Sequence, residues 1–153
     1  MVKKFDQIDR ALLRALQRDA RLSQRELAEE VGLSQNACWR RLKTLYESGL
    51  IEGHTIRLDP AQLGLNLTVF VMIRTRHHSK EWLETFRSEV TRIPNVIDFY
   101  RLAGDYDYMS KVVAEDMNAF DQVYQRLIDT VDLDTVTSYM TMEAIADARD
   151  LPI

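Results

Sequence analysis

Two different rhythms of apolar residues divide this chain. Up to about residue 49 the apolar positions recur at the three- and four-residue spacing of helices that bury one face. Asp6 is a good N-cap, and Ile8, Leu12, Leu13 and Leu16 behind it predict a first helix reaching about Asp19. Ser23-Gln24-Arg25-Glu26 has the form of a capping box, in which a hydroxyl and a carboxylate satisfy free backbone N–H groups. Leu27, Ala28 and Val31 then point inward, with Ala28 small where the next helix must come close. Gly32 supplies the positive φ of a sharp turn, and Leu33 plugs it. Ser34 caps a third helix that buries Cys38, Leu42 and Leu45 and ends near Ser48, with Gly49 as left-handed cap. Leu50 to Leu58 reads as a short strand, a wing or hinge, and Asp59-Pro60 breaks it.

From Asn66 the rhythm changes. Leu67 to Thr75 is strand-like and rich in β-branched residues. Ser79 caps a helix with Trp82, Leu83, Phe86, Val90 and Ile93 at helical spacing, and Pro94-Asn95 turns the chain. A second strand is expected over Val96–Leu102 and a third over Tyr106–Val113. A helix follows from about Asp116 to Thr130, with Met117, Phe120, Val123, Tyr124, Leu127 and Ile128 inward. A last strand is expected over Thr135–Ala144. The order is βαββαβ, a ferredoxin-like split βαβ unit whose two helices cover one face of a four-stranded antiparallel sheet. The first strand is apolar on both sides, with Val69, Val71 and Ile73 on one and Phe70 and Met72 on the other. A strand of that kind is buried on both sides, so the uncovered face calls for a second copy. The fold class is α+β: an N-terminal winged helix-turn-helix domain over residues 1–58, joined by a hinge strand to a ferredoxin-like domain over residues 66–153.

Charge adds a partner. The chain carries a net −4, but residues 1–58 hold 11 Lys/Arg against 8 Asp/Glu, and residues 59–153 hold 9 against 16. The negative surplus therefore belongs to the second domain, and the first is free to meet a polyanion. The face of the third helix opposite its buried side carries Gln35, Asn36, Trp39, Arg40 and Lys43, with Arg41 and Thr44 at its edges. Amides and guanidinium groups near a helix N-terminus reach base edges in the major groove, and cations further along pair with phosphates. Ser34, Gln35, Asn36, Trp39, Arg40, Arg41 and Lys43 are the candidate contacts to double-stranded DNA.

Other chemistry is thin. The single cysteine, Cys38, excludes an intramolecular disulfide, and its inward place makes it a small core residue. No apolar run approaches the roughly 20 residues of a membrane span, and the expectation is a cytoplasmic protein. His77 and His78 are adjacent on an extended segment and would point apart, so no metal is expected; His54 falls in the hinge.

The stretch from Ile8 to Gly53, the hinge after it and Ala103-Gly-Asp-Tyr-Asp-Tyr108 within a βαββαβ unit together resemble the Lrp/AsnC (leucine-responsive, feast/famine) family of transcription regulators, over nearly the whole chain. The resemblance implies a regulator of amino-acid metabolism, with no enzymatic activity and no cofactor. It also implies dimers that assemble into octamers or larger rings and a small amino-acid effector bound at dimer contacts. His77 to Trp82, Ala103 to Tyr108 and Leu151 to Ile153 are similar to a cysteine-responsive subgroup. The loop Gly104, Asp105, Tyr106 and Asp107 matches the family's effector loop. A glycine admits a ligand to the backbone, loop N–H groups can hold a carboxylate, and Asp105 or Asp107 can pair with an ammonium. Thr137 and Ser138, with Thr135 and Tyr139, are candidates to add hydroxyls. Two alternatives remain at this point. One is a siroheme-decarboxylase-like enzyme on the same scaffold, with His77 or His78 at a tetrapyrrole. The other is an architectural protein that coats DNA with little selectivity.

Overall fold

A computed structural model describes residues 5–130 and 132–153, so the first four residues of the expected DNA-binding domain lie outside it. The chain forms two compact units, Met1–Arg57 with Ala146–Ile153 and Leu58–Ile145.

The first unit is built on three capped helices. Helix α1 (Gln7–Arg18) starts at Asp6, whose carboxylate accepts the N–H groups of Ile8 and Asp9 at 2.9 and 2.8 Å, while Asp9 returns a bond to the Asp6 N–H at 3.1 Å. Helix α2 (Gln24–Glu30) has the reciprocal Ser23–Glu26 box. Its end is a Schellman turn: Gly32 has φ +69°, its N–H reaches the Glu29 carbonyl, and the Leu33 N–H reaches that of Ala28 at 2.8 Å. Helix α3 (Gln35–Glu47) is capped by the Ser34 hydroxyl and closed by Gly49 at φ +74°. Leu12, Ala15, Leu27, Ala28, Cys38 and Leu45 form the core of the three helices. Ala15, which the expected apolar stripe does not include, is buried because a small side chain lets another helix come close.

The second unit has strands β1 (Leu67–Arg74), β2 (Val96–Arg101), β3 (Tyr108–Ala114) and β4 (Thr135–Met140), with helices α4 (Lys80–Thr91) and α5 (Met117–Thr130). Every pairing is antiparallel, in the order β2-β3-β1-β4. Val69, Val71 and Ile73 are fully buried and pack with Phe86 and Val90 of α4 and Phe120, Val123 and Leu127 of α5. The Phe86 ring is central, with ring centroids of Trp82, Phe99 and Tyr108 at 4.9, 5.5 and 5.1 Å. The alternate residues Phe70, Met72, Met109, Tyr100 and Tyr139 share the other sheet face, where Tyr100 and Tyr139 are about half exposed.

The elements differ from the sequence expectation in four places. Residues 50–58 form no strand, because a strand needs a ladder partner and this chain places none beside them. The third strand starts at Tyr108, since Tyr106 and Asp107 are spent on the loop before it. The last strand stops at Met140, beyond which β1 offers only the Thr68 carbonyl, which accepts both the N–H and the hydroxyl of Thr141. Met117, expected inward, is half exposed at the first position of α5, ahead of the turn that meets the sheet.

Candidate nucleic-acid interface and effector loop

Helix α3 presents its polar face free. Asn36, Trp39, Arg40 and Lys43 follow the i, i+3, i+4, i+7 spacing of one exposed stripe, opposite buried Cys38 and Leu45. Among the described residues the Gln35, Asn36 and Arg40 side chains have no internal partner, so their donors and acceptors remain available. Trp39 is 50% exposed, and the Lys43 ammonium lies 5.3 Å from its ring centroid, which holds both side chains on one surface. Lys43 also meets Glu47 at 3.7 Å. The Gln24 amide donates to the Gln35 carbonyl at 2.9 Å, tying α2 to the first turn of α3.

Two expected contacts sit differently. Ser34 spends its oxygen on the Ala37 N–H as the cap of α3, which leaves its hydroxyl proton to donate outward. Arg41 turns away from the stripe: its Nη1 lies 2.7 Å from both Asp6 Oδ2 and Asp9 Oδ1, clamping α3 to the start of α1. Cys38 is fully buried, and burial pushes its thiol up, away from the reactive thiolate.

The Asp6 carboxyl is held below its usual value, first by the Asp9 backbone N–H and then by Arg41. A carboxylate depressed in the folded state stabilises that state above its unfolded pKa, and the contribution is lost as pH falls through the lower folded value. Asp19, held down to about 2 mainly by Arg21, extends the trend to more acid conditions. The thermal midpoint of the first unit should therefore drop as pH falls below about 4. The drop should be shallower in Asp6→Asn, which circular dichroism melts at several pH values would measure.

The loop before β3 gathers a second set of groups. Asp107 is structural on both sides: its N–H reaches the Ile73 carbonyl at 2.9 Å, and its carboxylate accepts the N–H of buried Thr75 at 2.8 Å. Asp105 keeps an exposed carboxylate while its carbonyl takes the Arg74 Nε at 2.7 Å. The Arg74 guanidinium also lies 5.4 Å from the Tyr106 ring centroid. The Tyr106 hydroxyl donates to Thr137 at 3.5 Å and is lowered in pKa by Thr137 and then by Tyr139, which is pushed the other way. Thr137 stands opposite Met72 and so shares the open sheet face with Tyr139. Ser138 stands opposite Val71, on the helix-covered face. Adjacent strand residues point apart, so Thr137 and Ser138 cannot serve one site on one subunit. Gly104 is exposed, with nothing within 4 Å of an added Cβ.

Arg74 is the residue that sequence reading missed. It is a cation ending an apolar strand, and only the folded pairing sets it beside the loop. His77 bonds Asp132 at 3.2 Å and faces Trp82, and His54 bonds Tyr46 at 2.8 Å. Among the described residues no His, Cys, Asp and Glu cluster could hold a metal ion, and no helix is long and apolar enough to cross a membrane.

Known proteins share this arrangement. A winged helix-turn-helix DNA-binding model matches residues 5–52, and an Lrp/AsnC ligand binding domain model matches residues 68–151. The DNA-binding transcriptional activator DecR of Escherichia coli (strain K12) is 47% identical over 150 residues, covering 97% of this chain and 99% of that protein. The crystal structure of an AsnC family transcriptional regulator from Agrobacterium tumefaciens superposes with a TM-score of 0.93 at 42% identity, covering 97% of each chain. A transcriptional regulator from Neisseria meningitidis, solved as an L-Met complex, superposes with a TM-score of 0.91 at 31% identity, again covering 97% of each.

Proposed function

We propose that this chain, which belongs to the Lrp/AsnC family of DNA-binding transcription regulators, reads near-palindromic sites as a homodimer and adjusts that binding to an amino-acid effector. Membership of a family of transcription regulators sets aside the tetrapyrrole-enzyme alternative. The observation that carries the DNA reading is the exposed stripe of Gln35, Asn36, Trp39 and Arg40 at the start of α3, behind a turn closed by Gly32. Lys43 and the Ser34 hydroxyl supply phosphate contacts. Arg41 acts indirectly, by fixing α3 against α1.

The open sheet face supports pairing of copies. Phe70, Met72, Met109, Tyr100 and Tyr139 together make an apolar surface that a second sheet would cover, and octamers or larger rings would then form from dimers. Effector binding falls to the loop at that face. Arg74 is placed to hold a carboxylate and the Asp105 carboxylate an ammonium, with Tyr106 and Thr137 beside them. Gly104 lets the ligand approach the backbone, Asp107 holds the loop's shape, and Ser138 would reach an effector only from the other side of the sheet. The L-Met complex of the Neisseria relative supports an amino acid as the class. Cysteine is the first candidate, from the resemblance of His77 to Trp82 and Ala103 to Tyr108 to the cysteine-responsive subgroup.

Mobility-shift titration on the DNA upstream of the chain's own gene, with and without L-cysteine and other L-amino acids, tests both parts. One amino acid should move the midpoint by about 5- to 150-fold, the usual span of allosteric coupling. Arg74→Ala should abolish that response while leaving effector-free DNA binding in place. Absence of any site-selective shift removes the DNA reading; a shift indifferent to every amino acid removes only the effector.

A further inference from the structure

The last residues of the chain do not stay with the sheet. Ala146–Ile153 belongs to the first unit, and its main chain is held by side chains of that unit. Gln17 makes a two-way amide pair with Leu151, accepting its N–H at 2.8 Å and donating to its carbonyl at 3.3 Å. Nearly one turn earlier on α1, Arg14 donates to the Ile153 carbonyl at 2.7 Å. At the other end of the segment, Arg57 donates to the Asp147 carbonyl at 3.3 Å. Ala148 has φ +45°, a left-handed conformation that a residue with a Cβ keeps only where its surroundings hold it. The Asp147 carboxylate takes the Ala148 N–H at 2.9 Å within the segment, and side chains of the first unit hold the main chain on either side of it.

The other side of this connection is equally short. Thr141 is tied to the sheet twice, its N–H and its hydroxyl each reaching the Thr68 carbonyl at 3.0 Å. Residues 142–145 alone separate that anchor from the docked segment. Just upstream, β4 carries Thr137, which touches Tyr106 of the effector loop.

We infer that residues 146–153 are a strap that restrains the helix-turn-helix unit from the sheet, as a second tether beside the Arg57–Leu58 link. Through it, movement of β4 reaches α1 and sets how freely the DNA-binding unit can shift. The consequence for DNA rests on the function proposed above; the restraint itself does not. Releasing the strap widens the range of positions open to α3 without touching any DNA-facing side chain.

The test compares the full chain with Arg14→Ala/Gln17→Ala and with a chain ending after Ile145. Limited trypsin should cut after Arg57 about tenfold faster in both variants, because local opening there becomes easier. Melting of the helices should be unchanged in the double variant. On duplexes with half-sites at a series of spacings, the wild-type chain should bind sharply at one spacing, and the variants more weakly at that spacing and over a broader range. Cleavage at the wild-type rate overturns the strap. Faster cleavage with an unchanged spacing profile overturns its link to DNA. If the wild-type chain selects no DNA site, the DNA reading fails, and the protease comparison still decides the restraint.

Discussion

A chain carrying both Asn36→Ala and Arg40→Ala should lose about a hundredfold to a thousandfold in affinity for its selected site, since each good base contact is worth about 1–3 kcal/mol and the two are only partly additive. On random DNA the same chain should lose far less. One positive charge is removed from each protomer, two per bound dimer, so the slope of log affinity against log salt should fall by about 2. The two exposed side chains lie a turn apart on α3, and neither has an internal partner whose loss would disturb the fold. Fluorescence anisotropy on both DNAs, over a range of salt, measures the difference. An equal loss on both would mean that the stripe acts through charge and reads no bases, which is the behaviour of the architectural alternative.

Phe86→Ala should be the most damaging single change to stability, costing about 3–5 kcal/mol, the usual cost of emptying a fully buried aromatic site. Phe86 is 0% exposed and touches rings from its own helix, β2 and β3. Val90, Val71 and Val112 of the same core are already fully buried, which limits how far the site can collapse. Urea unfolding followed by tyrosine and tryptophan fluorescence would show a shifted midpoint for the second unit. Since the open face of that unit is where copies would pair, DNA affinity should fall as well, although the helix-turn-helix residues are untouched. A midpoint within the error of wild type would contradict the packing described.

Much of this was legible in the sequence because it is local. Caps at Asp6, Ser23, Ser34 and Ser79 form with N–H groups two or three residues away, so residue type and spacing suffice to find them. The same holds for the Gly32 turn and for the buried set on β1, where a period of two separates Val69, Val71 and Ile73 from Phe70 and Met72. What escaped depends on pairs far apart in the chain. Arg41 sits at the edge of a basic face, and only the packing of α3 on α1 shows that Asp6 and Asp9 claim it. Arg74 meets Asp105 and Tyr106 only once β1 and β3 are in register. Thr137 and Ser138 look equivalent until the pairing of β4 assigns them to opposite faces. The docking of Leu151 on Gln17 joins the two ends of the chain, and no pattern in either end announces it.

On the proposed function, α3 reads base edges in the major groove. Guanine N7 methylation interference on a duplex selected from random sequence by the purified chain tests it directly, since N7 lies on the major-groove edge. Two short clusters of interfering guanines are expected, related by a near-palindrome and separated by about one helical turn, 10–10.5 base pairs, or a multiple of it. Both clusters should vanish in the Asn36→Ala/Arg40→Ala chain. Selection that yields no common sequence, or interference spread evenly along the bound DNA, would contradict it.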